Sequence, residues 1–176
     1  MFHEHVAGHG GRIVDTAGDS VLAVFPSAIG AVEAAIAIQQ DLAGRNEPLR
    51  EDRRMRFRIG VNLGDVIEKD DGSIYGSGVN VAARLEGLAE PGCVTISEDI
   101  FRQVEGKIDL GFEDIGEHEV KNIARPVRAY RIELDTSRQG GGAARDSECP
   151  VDHEDSAMEG APEYEGPGRA VPQAAN

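Results

Sequence analysis

The chain has 176 residues, 40% of them hydrophobic, which is enough for one domain and an appendage. A net charge of −14 and an aromatic content of 5% exclude the basic, aromatic-rich surface of a typical nucleic-acid-binding protein. An acidic protein that binds a polyanion needs metal ions or a few well-placed Arg and Lys side chains.

No segment reaches the about 20 apolar residues of a membrane helix, and the N-terminus lacks the charged-then-apolar order of a signal peptide. We therefore predict a cytoplasmic protein without a membrane segment. The composition changes near residue 136, where apolar residues give way to Gly, Pro and acidic residues. Such a segment cannot bury enough apolar area to offset its ordering entropy. The sequence predicts a folded domain over residues 1–136 and a disordered acidic tail over residues 137–176.

The first half of the domain reads as helix, hairpin and helix. Residues 1–10 resemble the last turns of a helix. The runs 12–16 and 20–25, separated by Ala-Gly-Asp, predict a β-hairpin with a tight turn. Ser27 is the predicted N-cap of a helix that ends near residues 44–46. Its apolar stripe recurs at spacings of three and four, at Ala31, Ala35, Ile38 and Leu42.

A period of two over residues 54–69 predicts one half-buried strand, whose inward positions are Phe57, Ile59, Val61 and Leu63. After a turn at residues 70–72, residues 79–89 predict a second helix. The positions of that helix expected to face the sheet are Val79, Ala82, Ala83 and Leu88.

The last third predicts a strand at residues 93–97, a short helix at 98–106, and a closing hairpin of residues 108–120 and 126–134. This order of elements indicates an α+β fold with the helices packed on one face of a sheet.

Three segments carry groups suited to phosphate or metal chemistry. Asp19 lies at the predicted hairpin tip, where a carboxylate suits Mg²⁺, although an ordinary turn aspartate would look the same. Asn80 and Arg84 are four residues apart and share a helix face, where they could bind a phosphate or ribose oxygen or simply be solvated. Lys121, in the closing hairpin, could reach a triphosphate or be a surface lysine.

Taken in order, the segments GRIVDTAGDSVLAVFPS, RIGVNLGDV, SIYGSGVNVAARLEGLAEPG and EVKNIARPVRAY resemble the class III adenylate and guanylate cyclase catalytic domain over about residues 10–133. The resemblance implies a ferredoxin-like core that dimerises head to tail. It also implies active sites at the interface, with metals held by one subunit and the transition state bound by the other.

The resemblance implies a role for each candidate residue. Asp19 matches the second metal-binding aspartate of a site for two Mg²⁺ or Mn²⁺ ions. Asn80 matches the ribose-orienting asparagine, and Arg84 the arginine that stabilises charge on the α-phosphate. Lys121 matches the lysine that contacts the terminal phosphates. Positioning and charge stabilisation by such groups are what in-line attack on phosphorus requires.

The sequence departs from the family at its start. The family's opening strand, which carries the first metal aspartate, and most of its first helices precede everything found here. We therefore expect an N-terminally truncated chain or fragment that is inactive alone and exposes two unpaired strand edges, with poor solubility or self-association as the consequence.

The sequence also departs from the family at the base-binding positions. Asp15 stands where adenylate cyclases usually have a lysine, and Ser73 where they usually have an aspartate. Hydrogen-bond logic allows either adenine or guanine there.

The resemblance thus predicts a purine nucleotide cyclase, or a fragment of one, that converts ATP to 3′,5′-cyclic AMP and pyrophosphate in cyclic-nucleotide signalling. ATP is preferred to GTP only because cyclases of this kind are mostly adenylate cyclases. The expected partner is a second copy or a complementary cyclase subunit. The alternative is a catalytically inactive, cyclase-like regulatory or dimerisation module.

Overall fold

A computed structural model describes residues 1–18, 20–120, 123 and 125–134. Within them the α-helices are α1 (Phe2–Gly8), α2 (Ala28–Asn46), α3 (Ser77–Leu88) and α4 (Glu98–Val104). The strands are β1 (Arg12–Ala17), β2 (Ser20–Val24), β3 (Ile59–Val61), β4 (Ile67–Glu68), β5 (Ile74–Tyr75), β6 (Val94–Ser97), β7 (Gly111–His118) and β8 (Val127–Glu133). A short 3₁₀ turn covers Glu51–Arg53.

The helix after the first hairpin forms as its sequence predicts. The Ser27 side chain accepts a hydrogen bond from the Gly30 backbone N–H, which satisfies one of the free donors at the start of α2. The helix ends at Asn46, and its buried side includes Ala35, Ile38 and Leu42. The N-cap, the end and most of the apolar stripe are therefore confirmed.

The strands form a four-stranded sheet and two separate ribbons. The order of the main sheet is β3-β6-β8-β7, in which β3 pairs parallel with β6 and the other neighbours are antiparallel. The hairpin β1–β2 and the pair β4–β5 are sheets of their own, and β3 is an edge strand. The α+β class is confirmed, while self-association through strand edges stays a prediction.

Helices cover both faces of the main sheet. On one face, residues of α2 and α4 pack with Ile96 of β6 and Ile132 of β8. On the other face, Leu85 of α3 packs with Ala129 of β8. Ala129 and Ile132 are an odd number of residues apart, so they point to opposite sides of a pleated strand. The expectation that the helices pack on one face is wrong.

The strand predicted over residues 54–69 is also too long. The chain leaves the sheet after Val61, and Leu63 is 49% exposed. The cause is tertiary: the Asn62 side chain donates to the Gly78 carbonyl at 3.1 Å, and a Cβ on Gly64 would lie 3.0 Å from the Gly78 Cα. The segment therefore turns toward the start of α3, although its apolar alternation continues.

The buried side of α3 differs from the predicted one. Val79 is buried as expected, but Val81 and Leu85 are buried in place of Ala83, which is exposed. Valine and leucine remove more apolar area from water than alanine does, so their packing decides how the helix is oriented.

Residues 135–176 lie outside the described part, so the domain boundary at residue 136 and the disordered tail stay predictions. Among the helices that are described, none combines the length and the hydropathy needed to cross a membrane.

Candidate active site

A cavity of about 200 Å³ brings together the two residues predicted to bind a purine base. Asp15 comes from β1, where a register shift between Ile13 and Asp15 marks a bulge, and Ser73 immediately precedes β5. A bulge changes the direction of the side chains that follow it. The complete lining is Val14, Asp15, Leu22, Asp71, Ser73, Ile74 and Tyr75.

Two side-chain contacts link the segments that border this cavity. Arg12 of β1 pairs with Glu68 of β4 at 2.6 Å, which ties the first hairpin to the β4–β5 ribbon. The Lys69 ammonium lies 4.2 Å from the centre of the Tyr75 ring, a cation–π contact across the same ribbon. The Arg12–Glu68 ion pair therefore connects two ribbons that share no backbone hydrogen bonds in the sheet topology of the described residues.

Asp71 is a cavity residue that the sequence motifs did not single out. One of its carboxylate oxygens accepts hydrogen bonds from the Ser73 hydroxyl and, at 2.9 Å, from the Ser73 backbone N–H. These contacts hold the pKa of the Asp71 carboxyl below its usual range. The hydrogen bond from the Ser73 hydroxyl is the larger cause, and the one from the Ser73 backbone N–H is the next. A signal for this contact is present in the sequence, since an aspartate two residues before a serine in a Gly-containing turn is typical of an Asx turn.

Asn80 and Arg84 lie one turn apart on α3, as predicted. Asn80 is exposed, whereas Arg84 is half-buried. The Arg84 Nε is buried and has no hydrogen-bond partner within the part of the chain that the structure describes. A buried guanidinium N–H without a partner costs free energy. The Arg84 side chain as a whole is half-buried, and the planar set of donors on a guanidinium suits an anionic ligand.

Glycines set the position of α3. Gly60 of β3 packs against the helix backbone, because a Cβ there would lie 2.2 Å from the Ala82 carbonyl oxygen. Gly76, directly before the helix, has φ of +146° and packs against the Asp65 carbonyl. Any residue larger than glycine at these two positions would displace the helix that carries Asn80 and Arg84.

Two predicted site residues, Asp19 and Lys121, lie outside the described residues. Residues near them are described: Ala17 pairs with Ser20 across the hairpin turn, and Val120, within the β7–β8 connection, is buried. Their roles stay predictions.

The described residues contain no ready-made cluster of metal ligands. None of their His, Cys, Asp and Glu side chains form a group of three that could hold a metal ion.

A larger cavity, of about 390 Å³, lies at the ends of β3 and β6 beside the start of α3. Its lining includes Asn62, Ser77, Ser97 and Arg125 but none of the predicted site residues. Size alone thus does not locate the predicted chemistry.

Comparison with known proteins agrees with the motifs. The sequence model described as the Adenylate and Guanylate cyclase catalytic domain matches residues 1–134. The “Putative adenylate cyclase 3” of Rhizobium meliloti is 52% identical over 122 residues, which is 69% of this chain and 21% of that protein. The pH-sensitive adenylate cyclase of Mycobacterium tuberculosis is 29% identical over 140 residues, 77% of this chain and 33% of that protein.

Solved structures show the same fold. The adenylate/guanylate cyclase/hydrolase from Silicibacter pomeroyi is 39% identical, with a TM-score of 0.72 over 75% of this chain and 78% of that one. The adenylyl cyclase CyaB from P. aeruginosa is 26% identical, with a TM-score of 0.63 over 80% of each chain.

The chain spans 21% and 33% of the length of the two curated relatives. The family match covers most of the chain, and the ferredoxin-like cyclase fold is shared with solved members. The chain belongs to the class III adenylate and guanylate cyclase catalytic domain family.

Proposed function

We propose that this chain supplies the nucleotide-recognition half of a cyclase site that converts ATP to 3′,5′-cyclic AMP and pyrophosphate. The observation that carries the proposal is the cavity that places Asp15 beside Ser73 although they are far apart in sequence. These are the positions at which the family binds the base. ATP is preferred to GTP because several relatives are named adenylate cyclases.

The order of groups along the chain supports the proposal. Ser73 and Tyr75 line the base cavity, Gly76 opens the helix, and Asn80 and Arg84 follow on one face of α3. One helical turn advances about 5.4 Å, comparable with the step from ribose to phosphate in a nucleotide. Base, ribose and α-phosphate can therefore be bound in the order Ser73, Asn80, Arg84.

In the proposed reaction the 3′-hydroxyl gives up its proton to water and its oxygen forms a bond to the α-phosphorus. The bond from that phosphorus to the bridging oxygen breaks at the same time, and pyrophosphate leaves. Asn80 orients the ribose so that its 3′-oxygen lies in line with the leaving group. Arg84 donates to the α-phosphate oxygens as negative charge develops there, which lowers the barrier electrostatically. Lys121 would hold the terminal phosphates.

The remaining components are predictions from the family. Mg²⁺ or Mn²⁺ would be held by Asp19 together with a second carboxylate. Because the family divides each site between subunits, this chain would act with a second copy or with a complementary cyclase subunit. A cytoplasmic location likewise stays a prediction.

Complementation tests the proposal. The chain is mixed with a complete cyclase subunit of this family whose own equivalents of Asn80 and Arg84 have been replaced by alanine. Cyclic nucleotide is then measured with Mn²⁺ and either ATP or GTP. Restored cyclic AMP synthesis that is lost with Arg84→Ala, but kept with Arg102→Ala on the exposed side of α4, supports the proposal.

The other outcomes are informative as well. Cyclic GMP in place of cyclic AMP would replace ATP by GTP as the substrate. No restoration with either nucleotide, from a mixture in which the two chains associate, would contradict the proposal and favour an inactive regulatory or dimerisation module.

A further inference from the structure

The cavity lined by Asp15 and Ser73 is also lined by a second carboxylate, that of Asp71. The Ser73 hydroxyl and the Ser73 backbone N–H both donate to the same Asp71 oxygen. The Ser73 side chain is therefore oriented by Asp71 before any ligand enters.

This contact decides which hydrogen bonds Ser73 can offer. A serine hydroxyl has one proton to donate and two lone pairs that can accept. With its proton directed to Asp71, the Ser73 oxygen is left only as an acceptor. Because its pKa is lowered, the Asp71 carboxyl is ionised at neutral pH, so it has no proton with which to reverse the direction of the bond.

We infer that Asp71 is a specificity-determining residue that acts through Ser73, keeping the Ser73 hydroxyl oxygen as an acceptor for the exocyclic 6-amino group of adenine. This inference rests on the proposed function for the identity of the nucleotide. It adds a positioning residue that the resemblance to the family does not supply.

Ser73 and Asp71 together take the place of a single acidic side chain that would accept a hydrogen bond from the base. A serine hydroxyl is uncharged at neutral pH, but a hydroxyl that donates to a carboxylate is polarised and is a better acceptor at its oxygen. A carbonyl at the 6-position of the purine, as in hypoxanthine, would face this oxygen with lone pair against lone pair. A purine without any 6-substituent would lose the hydrogen bond without gaining a repulsion.

Equilibrium binding to the full chain tests the inference, since Asp15, Asp71 and Ser73 all belong to one subunit. The probes are 3′-deoxy-ATP and the 3′-deoxy triphosphate of purine riboside, which lacks only the 6-amino group. Neither has the 3′-oxygen needed for cyclisation. We expect the amino-bearing nucleotide to bind about two- to tenfold more tightly, the range of one net hydrogen bond.

Substitutions in the turn distinguish the orientation of the Ser73 hydroxyl from the general stability of that turn. Asp71→Ala frees the Ser73 hydroxyl and should bring the affinity ratio close to one. Asp71→Asn keeps an acceptor oxygen and the turn, and should retain most of the ratio. Asp70→Ala, one residue away on the exposed turn, should leave the ratio unchanged. In a Ser73→Ala background, adding Asp71→Ala should have no further effect on the ratio.

Several results would overturn the inference. Asp71→Ala that weakens both nucleotides equally would indicate a purely structural turn residue. A ratio of one in the unsubstituted chain, or no binding of either nucleotide, would also refute it. If the ratio behaves as expected but complementation yields no cyclic nucleotide, the proposed function fails while the base contact stands. If cyclic nucleotide forms and the ratio is one, only this inference fails.

Discussion

Gly60 of β3 lies directly against the backbone of Ala82 in α3, so that a Cβ at Gly60 would come 2.2 Å from the Ala82 carbonyl oxygen. The contact places the helix that carries Asn80 and Arg84 at the closest possible distance from the edge strand. Since the obstructing atoms are backbone, a side chain at Gly60 cannot be accommodated by a rotamer change.

Gly60→Ala is therefore expected to lower the free energy of unfolding by about 1–3 kcal/mol and to reduce complemented cyclase activity, because α3 must move. Chemical denaturation and the complementation assay measure the two effects. Gly87→Ala, within the same helix and with no atom within 4 Å of the added Cβ, is the matched control. It should be neutral or stabilising by up to about 1 kcal/mol. Equal destabilisation by both substitutions would contradict the packing argument.

If Arg84 stabilises transition-state charge as proposed, Arg84→Ala should reduce kcat in the complemented enzyme by on the order of 10²–10³-fold, the usual cost of removing one preorganised donor. Arg84→Lys should recover little of the loss, because a lysine cannot reproduce the geometry of the guanidinium. Steady-state kinetics with the purified mixture gives both values. A change in KM with kcat unaltered would mean that Arg84 binds the ground state and the transition state equally.

The core between the sheet and the helices α2 and α4 should be sensitive to truncation. Ile96 is 0% exposed at the centre of β6, so Ile96→Ala is expected to cost about 2–5 kcal/mol of folding free energy. Val21 is 40% exposed on β2, and Val21→Ala should change stability by less than about 0.5 kcal/mol. Urea denaturation of the two variants checks the difference, and similar midpoints would argue against this core.

The carboxylate of Asp41 on α2 should make the stability of the folded chain depend on pH in the acid range. The Arg45 side chain, which donates to its carboxylate at 2.7 Å, and secondarily His5 of α1 lower the pKa of Asp41 to about 2. A lowered carboxyl pKa stabilises the folded state above the unfolded value near 3.8, and that contribution disappears as pH falls toward 2. Asp41→Asn should thus have a lower thermal midpoint than the unsubstituted chain at pH 6.

The two midpoints should converge between about pH 4 and pH 2, in the window set by the pKa of Asp41. Arg45→Gln removes the largest cause of the lowered Asp41 pKa. In an Arg45→Gln background, the difference in thermal midpoint that Asp41→Asn produces at pH 6 should be smaller, and it should disappear at a higher pH. A difference between the unsubstituted chain and Asp41→Asn that persists unchanged at pH 2 would show that the carboxylate charge is not responsible.

Local features were determined by the amino-acid sequence alone. Three such features each depend on residues within a short stretch of chain: the N-cap at Ser27, the two hairpins, and the placement of Asn80 and Arg84 one turn apart on α3. Patterns of this range report backbone preference and helix periodicity directly. The motif order was equally sufficient to indicate the family.

Only the tertiary structure decided which distant groups meet. Three features depend on packing between segments: the side of α3 that is buried, the exit of the chain from the sheet after Val61, and the approach of Asp15 in β1 to the turn that carries Asp71 and Ser73. Alternation in sequence cannot report that a glycine allows a helix to approach a strand, as at Gly60. The physical reason is that a residue is buried only when a second surface packs against it. A local sequence pattern does not specify which segment supplies that surface.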